Sequence, residues 1–270
     1  GILRNKGFEF TDDEFEADVI AVNTCCFIHD AKQESINTIL EMAEHKKDGA
    51  CKALIVSGCL AHRYQDEITK EIPEVDAFLG TSSYDKIADV ILAVLEGKGY
   101  NCIDSADRLV RTDTERIITT GGYYEYLKIA EGCDKHCTYC IIPKVRGNYR
   151  SYPMEYLVSQ AASLVEEGVR ELILVAQETT VYGVDIYGKK SLAELIKRLA
   201  GIGGLSWIRI LYCYPEEIDD SLIEVIKNEP KVCHYLDMPI QHASDNILKR
   251  MGRRTTKQEL KDVIARLREN

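Results

Sequence analysis

No run in the sequence approaches the eighteen apolar residues of a membrane span, so no such helix is expected. The opening stretch, GILRNKGFEF, lacks the apolar core of a secretory signal. Positive charge is also short. The 34 Lys and Arg face 44 Asp and Glu, a formal net charge of -10, and nothing global draws the chain onto nucleic acid. Two local exceptions are KVRGNYR (144–150) and LKRMGRRTTK (248–257), both basic in an acidic chain.

What is present reads as an ordinary globular protein with a large core, and 270 residues suit one or two domains. Ten cysteines are many, yet they do not form a disulfide framework. A chain of this size needs no staples, and the thiols gather beside strand ends and in one tight loop. A reducing, cytoplasmic setting is expected, with some thiols bound to metal. Cys102, Cys213 and Cys233 read as small buried hydrophobes.

Residues 1–100 alternate helix and strand, which predicts a parallel, three-layer α/β unit. ADVIAVNT (17–24) and CKALIVSG (51–58) are apolar strands ending at Cys25 and Cys59. KQESINTILEMAEHK (32–46) and YDKIADVILAVLEG (84–97) have helical spacing, and EVDAFLG (74–80) reads as a short acidic helix. A helix begins almost at Gly1 with no strand before it, so an upstream segment is expected. Residues 101–122 have no clear period and read as a linker.

A second series follows over 123–270. Strands are predicted at 123–130, 170–177, 207–213 and 232–240, with helices at 154–168, 191–202, 219–228 and 255–270. Four strand–helix units do not close a barrel, so a partial (β/α) barrel is expected, continued by chain not present here.

EGCDKHCTYC (131–140) carries the chemistry. Cys133, Cys137 and Cys140 form CxxxCxxC directly after the first strand of this second half, at the edge where such barrels hold their active sites. Structural zinc would need a fourth close ligand. Cys213 is more than a β/α unit away, and His136 would put adjacent residues on one metal. A four-iron cluster on three thiolates fits better and leaves one iron open, which implies chemistry rather than plain electron transfer. In the first half, NTCCFI (23–28) and VSGCLAHRY (56–64) place Cys25 and Cys59 after neighbouring strands. By chemistry alone this pair is a second metal site, a redox pair or a coincidence.

This cysteine loop resembles the radical S-adenosylmethionine superfamily, and NTC and GCL ahead of EGCDKHCTYCIIPKVRG are similar to the methylthiotransferases. The resemblance implies two [4Fe-4S] clusters and S-adenosylmethionine. Cys133, Cys137 and Cys140 would hold the first cluster; Cys25 and Cys59 would be two of three ligands of the second. It also implies an electron donor, a sulfur donor, and insertion of a methylthio group at an unactivated carbon. NTCCFIHDAKQESI (23–36) and VAQETTVYGVDIYG (175–188) look like the branch that modifies an aspartate of a small-subunit ribosomal protein, with a tRNA adenosine as the alternative substrate. A non-catalytic iron–sulfur module that binds RNA or the ribosome is the reading from another class.

Other residues at strand ends are candidate cofactor contacts. Gln177 and Glu178 leave the second strand, and Gln241 and His242 leave the fourth. Arg209 alternates with Ile208 and Ile210, so its charge points toward the barrel centre and calls for a carboxylate. Ser244 or Asp245 is expected to cap a short helix, and Lys249, Arg250, Arg253 and Arg254 form a basic edge suited to phosphate or an acidic protein.

Overall fold

A computed structural model describes residues 1–110 and 116–269. The chain divides into two compact units, Gly1–Ile117 with Lys144–Gly147, and Ile118–Pro143 with Asn148–Asn270.

The first unit runs α1 (Ile2–Asn5), β1 (Val19–Thr24), α2 (His29–Asp48), β2 (Ala53–Gly58), α3 (Cys59–Glu71), β3 (Ala77–Leu79) and α4 (Ile87–Leu95). Its sheet has the order β1-β2-β3, all parallel. Leu54, Ile55 and Val56 of β2 are wholly buried, which requires cover on both faces and explains their unbroken apolar run. On β1, by contrast, Val22 is buried while Ala21 and Asn23 are exposed, so buried and exposed positions alternate. The helices contribute Ile39 and Ala43 from α2, Leu60 and Ala61 from α3, and Val90 and Ile91 from α4.

Two expectations change here. Residues 74–80 contain the strand β3, because Ala77, Phe78 and Leu79 pair with Ile55, Val56 and Ser57 and are buried. Burial beside an apolar strand outweighs the acidic flank. The start of the expected linker is also structured: Cys102 donates to Phe78 O at 2.9 Å and receives the Gly80 N–H at 2.9 Å, and it joins the core formed by Ile55, Leu79 and Val90. Residues 111–115 of that linker lie outside the described residues, as does Asn270 of the terminal helix.

The second unit begins with β4 (Tyr124–Lys128), β5 (Ala130–Glu131), α5 (Ile142–Arg146, which belongs to the first unit from Lys144 on), β6 (Arg150–Ser151), α6 (Met154–Glu166) and β7 (Glu171–Val175). It continues with α7 (Val184–Tyr187), α8 (Leu192–Ala200), β8 (Trp207–Ile210), α9 (Asp220–Asn228), β9 (Val232–Leu236), α10 (Asp245–Arg250) and α11 (Lys257–Glu269). The sheet order β4-β7-β8-β9 follows the chain and every pairing is parallel, as in a partly built barrel wall. Leu127, Leu172, Leu174, Ile208 and Ile210 of the strands are buried, as are Leu157, Leu195, Ile196 and Leu222 of the helices. The next positions along the strands lie on the other face, where Tyr126, Ile173 and Arg209 stand in one register row. At β9, Tyr235 is exposed and a groove of about 350 Å³ runs between this strand, α9 and α11. No helix among the described residues is long and apolar enough to cross a membrane.

Candidate active site

The cysteine loop leaves the C-terminal end of β4. Cys133 and Cys137 are buried, and Cys140 is half-buried. The Cys140 N–H donates to Cys137 O at 3.0 Å, closing a turn that holds two of the three thiols together. Three anchors position the loop. The Gln177 amide oxygen accepts the Gly132 N–H at 2.8 Å, Asp134 Oδ1 accepts the Tyr149 N–H at 2.9 Å, and the Thr138 N–H donates to Met251 O at 3.1 Å.

Burial pushes the Cys133 thiol up to about 11, and the neighbouring Glu178, Cys137 and Cys140 add to the shift. Burial also raises Cys140, with Cys137 contributing. Cys133 and Cys140 therefore lie within electrostatic reach of Cys137, and both resist ionising without a cation. Among the described residues no set of three or more His, Cys, Asp or Glu side chains stands ready at metal-binding distances. The donor set still fits an iron–sulfur cluster: three soft ligands in one anchored loop, whose mutual repulsion a cationic iron core would relieve.

Strain marks the same edge. The three non-glycine residues with positive φ among those described are His136 in this loop, Tyr212 after β8 and Gln241 after β9. All follow strand C-termini, and such conformations persist where the surroundings enforce them.

The segment Tyr214–Glu217 braces the loop and went unnoticed in the sequence. Tyr214 Oη lies 4.0 Å from Cys137 Sγ, and Lys135 Nζ sits 5.3 Å from the centre of the Tyr214 ring. Glu217 forms ion pairs with Lys135 and Lys190. Burial would raise Glu217, but hydrogen bonds from those two lysines hold it below the usual carboxylate range. The available signal was YPEE directly after a strand at the catalytic edge, a proline followed by two carboxylates.

Gln177 and Glu178 do reach the loop's surroundings. Glu178 is 1% exposed; its Oε1 accepts from the Thr180 N–H at 2.9 Å and from the Thr180 hydroxyl, while Oε2 lies 3.9 Å from Lys135 Nζ with no hydrogen-bond partner. Burial pushes the carboxyl up to about 7, against the opposing pull of Thr180 and Lys135. A raised carboxyl binds more protons in the folded state, so its contribution to stability is fully present below about pH 4.5 and is lost as pH rises through about 7. The cluster-free protein should lose up to ~3 kcal/mol between pH 5 and pH 8 from this group. Glu178→Gln should remove that dependence, read as denaturation midpoints across the same range; an unchanged slope would contradict the assignment.

The remaining candidates are placed as follows. Arg209 Nε donates to Glu171 Oε1 at 2.7 Å, so the carboxylate it needs comes from the protein at the start of β7, toward the end of the sheet opposite the cysteine loop. Gln241 and His242 are exposed after β9, and His242 Nδ1 accepts the Ser244 N–H at 2.9 Å. Ser244 is the N-cap of α10 without a side-chain cap bond, and Asp245 Oδ1 instead accepts the Lys257 N–H at 2.6 Å. The expected basic edge loses Arg253, which is buried and paired with Glu216. Cys102 and Cys213 are buried as read; Cys233 is half-buried.

In the first unit, Thr24 and Gly58 are register partners on β1 and β2, so Cys25 and Cys59 are the next residues beyond a matched pair. Ser35 of α2 fixes Cys25 by accepting its N–H at 2.9 Å and donating to its carbonyl at 3.1 Å. Cys26 is buried beside them: burial raises its thiol to about 11, with Cys59 and Cys25 adding to the shift. Three thiols thus share one strand edge here as well.

The radical SAM superfamily model matches residues 127–270, more than half of the chain. The chain belongs to the radical SAM superfamily. Residues 1–80 match a second model, described as Uncharacterized protein family UPF0004. This radical SAM chain is 66% identical over 99% of its length to the ribosomal protein uS12 methylthiotransferase RimO of Lachnoclostridium phytofermentans, covering 61% of that protein. It is 54% identical over 99% of its length to the protein of the same name from Acetivibrio thermocellus, covering 60% of it. The chain therefore spans about three fifths of the curated relatives it matches. Among solved structures, the radical S-adenosylmethionine methyltransferase TsrM of Kitasatospora setae aligns with 93% of this chain and 55% of its own, at TM-score 0.65 and 13% identity. That likeness concerns the fold alone.

Proposed function

We propose that the chain forms part of a radical S-adenosylmethionine methylthiotransferase acting on an aspartate of a small-subunit ribosomal protein. The observation that carries this reading is the presence of two separate cysteine sites in one radical SAM chain, each at the C-terminal edge of a parallel sheet. A superfamily member that only cleaved its cofactor would need the loop after β4 alone. The names of the highly similar relatives support the ribosomal protein as substrate.

When bound, the clusters and S-adenosylmethionine supply a carbon radical that takes hydrogen from an unactivated carbon, together with the sulfur that replaces it. Cys133, Cys137 and Cys140 would hold the radical-forming cluster, and Cys25 and Cys59 would contribute to the second. Gln177 would fix the loop through Gly132. Glu178, buried and with an unbonded oxygen, would receive the cofactor's ammonium group, which would also stabilise its ionised form. Gln241 and His242 would offer hydrogen bonds at the rim. Arg209, satisfied by Glu171, would serve the interior of the wall rather than the cofactor.

The direct test is mass spectrometry of ribosomal protein uS12 and of tRNA from cells lacking the gene. The methylthio group should disappear from the ribosomal protein and remain on tRNA. Loss from tRNA with the ribosomal protein unchanged would overturn the substrate assignment.

A further inference from the structure

Arg253 is the buried charge that the proposed function leaves unexplained. Its side chain is 1% exposed, and its Nη2 donates to Glu216 Oε2 at 3.1 Å and to Pro239 O at 3.3 Å. The guanidinium stacks on Tyr214, with Cζ 4.1 Å from the ring centre. Nε and Nη1 are buried and have no hydrogen-bond partner among the described residues. A guanidinium has five N–H donors in a fixed fork, and each one left unmet in the interior is costly. Glu216 balances the charge but engages only Nη2.

The guanidinium connects to the cysteine loop through Tyr214. Tyr214, the stacking partner of Arg253, has its hydroxyl 4.0 Å from Cys137 Sγ. The two residues before Gly252 clasp the loop too: Arg250 O accepts from the Thr138 hydroxyl at 3.0 Å and Met251 O from its N–H at 3.1 Å. Gly252 packs against the loop at ordinary contact distance, a Cβ there lying 3.5 Å from Thr138.

We infer that Arg253 is a positioning residue for the radical-forming cluster, its buried guanidinium holding a fixed positive charge behind Tyr214 on the Cys137 side of the loop. This rests on the assignment of Cys133, Cys137 and Cys140 as cluster ligands. Three thiolates around an iron–sulfur core leave a net negative charge that grows on reduction. Hydrogen bonds and a buried cation near the sulfurs favour the reduced form, and cluster potentials are set by such contacts. Tyr214 and Glu216 keep the guanidinium plane in place, so the planar fork matters as well as the charge.

The test uses the whole protein with Cys25→Ala and Cys59→Ala, so that one cluster is read, reconstituted anaerobically with ferrous iron and sulfide. Arg253→Met should lower the midpoint potential, followed by electron paramagnetic resonance, enough to cut the reduced-to-oxidised ratio at a fixed potential about tenfold, near 59 mV for a one-electron couple. Arg253→Lys should recover part of the shift, because it restores charge without the fork. If Arg253→Met loses its fold by circular dichroism, Arg253→Lys decides, and it should still lie below the unsubstituted protein. An unchanged potential in the folded variants, with iron content also unchanged, overturns the role of Arg253 and leaves the cysteine assignment standing. If the unsubstituted protein holds iron that does not depend on Cys133, Cys137 and Cys140, both fall.

Discussion

In the whole protein, Cys59→Ala is expected to leave reductive cleavage of S-adenosylmethionine to 5'-deoxyadenosine largely intact while abolishing the methylthiolated product. Cys137→Ala is expected to abolish both. The two sites do different work in this account. The loop after β4 has only to cleave the cofactor, whereas the first-unit site has to present sulfur. Each substitution removes one soft ligand from a set of thiols, and a cluster short of a ligand is held poorly. Circular dichroism comes first, since a variant that merely unfolds would lose everything. A folded Cys59→Ala protein that transfers the methylthio group at the unsubstituted rate would make the N-terminal cysteines structural and would remove the reason for two sites.

Gly58→Ala is expected to have the largest effect on stability. Gly58 has φ 98° and ψ -157°, a region open essentially to glycine alone, and it sits between the last buried strand residues and Cys59. An added Cβ would stand 2.4 Å from Thr24 O and 3.0 Å from Thr24 N, both on the backbone of the paired strand. Neither can retreat without breaking the β1–β2 register that places Cys25 and Cys59 side by side. The strained backbone and the clash together should cost ~3 kcal/mol or more, seen as a lower denaturation midpoint. Iron bound by the first-unit site should fall in parallel. A variant with unchanged midpoint and unchanged iron would show that this turn relaxes freely, contrary to the close approach seen here.

The fold was legible wherever hydrophobic period and chain length agreed. The unbroken run of β2 survives as a burial pattern and α6 runs between the expected Pro153 and Gly168, whereas β1, read as a continuous apolar run, alternates buried and exposed positions. Segments shorter than a period were not legible. Three residues of β3 cannot establish alternation, and Cys102 joins the sheet as one bridge inside a polar stretch. The helix α3, which starts at Cys59 itself, was hidden because its first residues read as the tail of a strand.

The same distinction governs the site. Cys133, Cys137 and Cys140 declare themselves because their ligand geometry is a matter of spacing along one loop. Gln177 and Glu178 declare themselves by position after a strand. Tyr214 and Arg253 do not: Tyr214 is 77 residues from Cys137, and only the register of β7 and β8 brings its loop to the same edge. Arg253 is misleading in sequence, since it stands among exposed basic residues yet is buried against Glu216 and Tyr214. Covalent neighbourhood showed the three thiols, and tertiary packing supplied the groups that brace their loop.

The central claim is that the loop after β4 holds a [4Fe-4S] cluster on three cysteines. Iron and acid-labile sulfide per chain, measured after anaerobic reconstitution of this chain and of its Cys133→Ala/Cys137→Ala/Cys140→Ala variant, tests it most directly. The account predicts about four iron and four sulfide that depend on the triplet and are lost in the variant. Equal iron and sulfide in both proteins, with the variant folded, would contradict it.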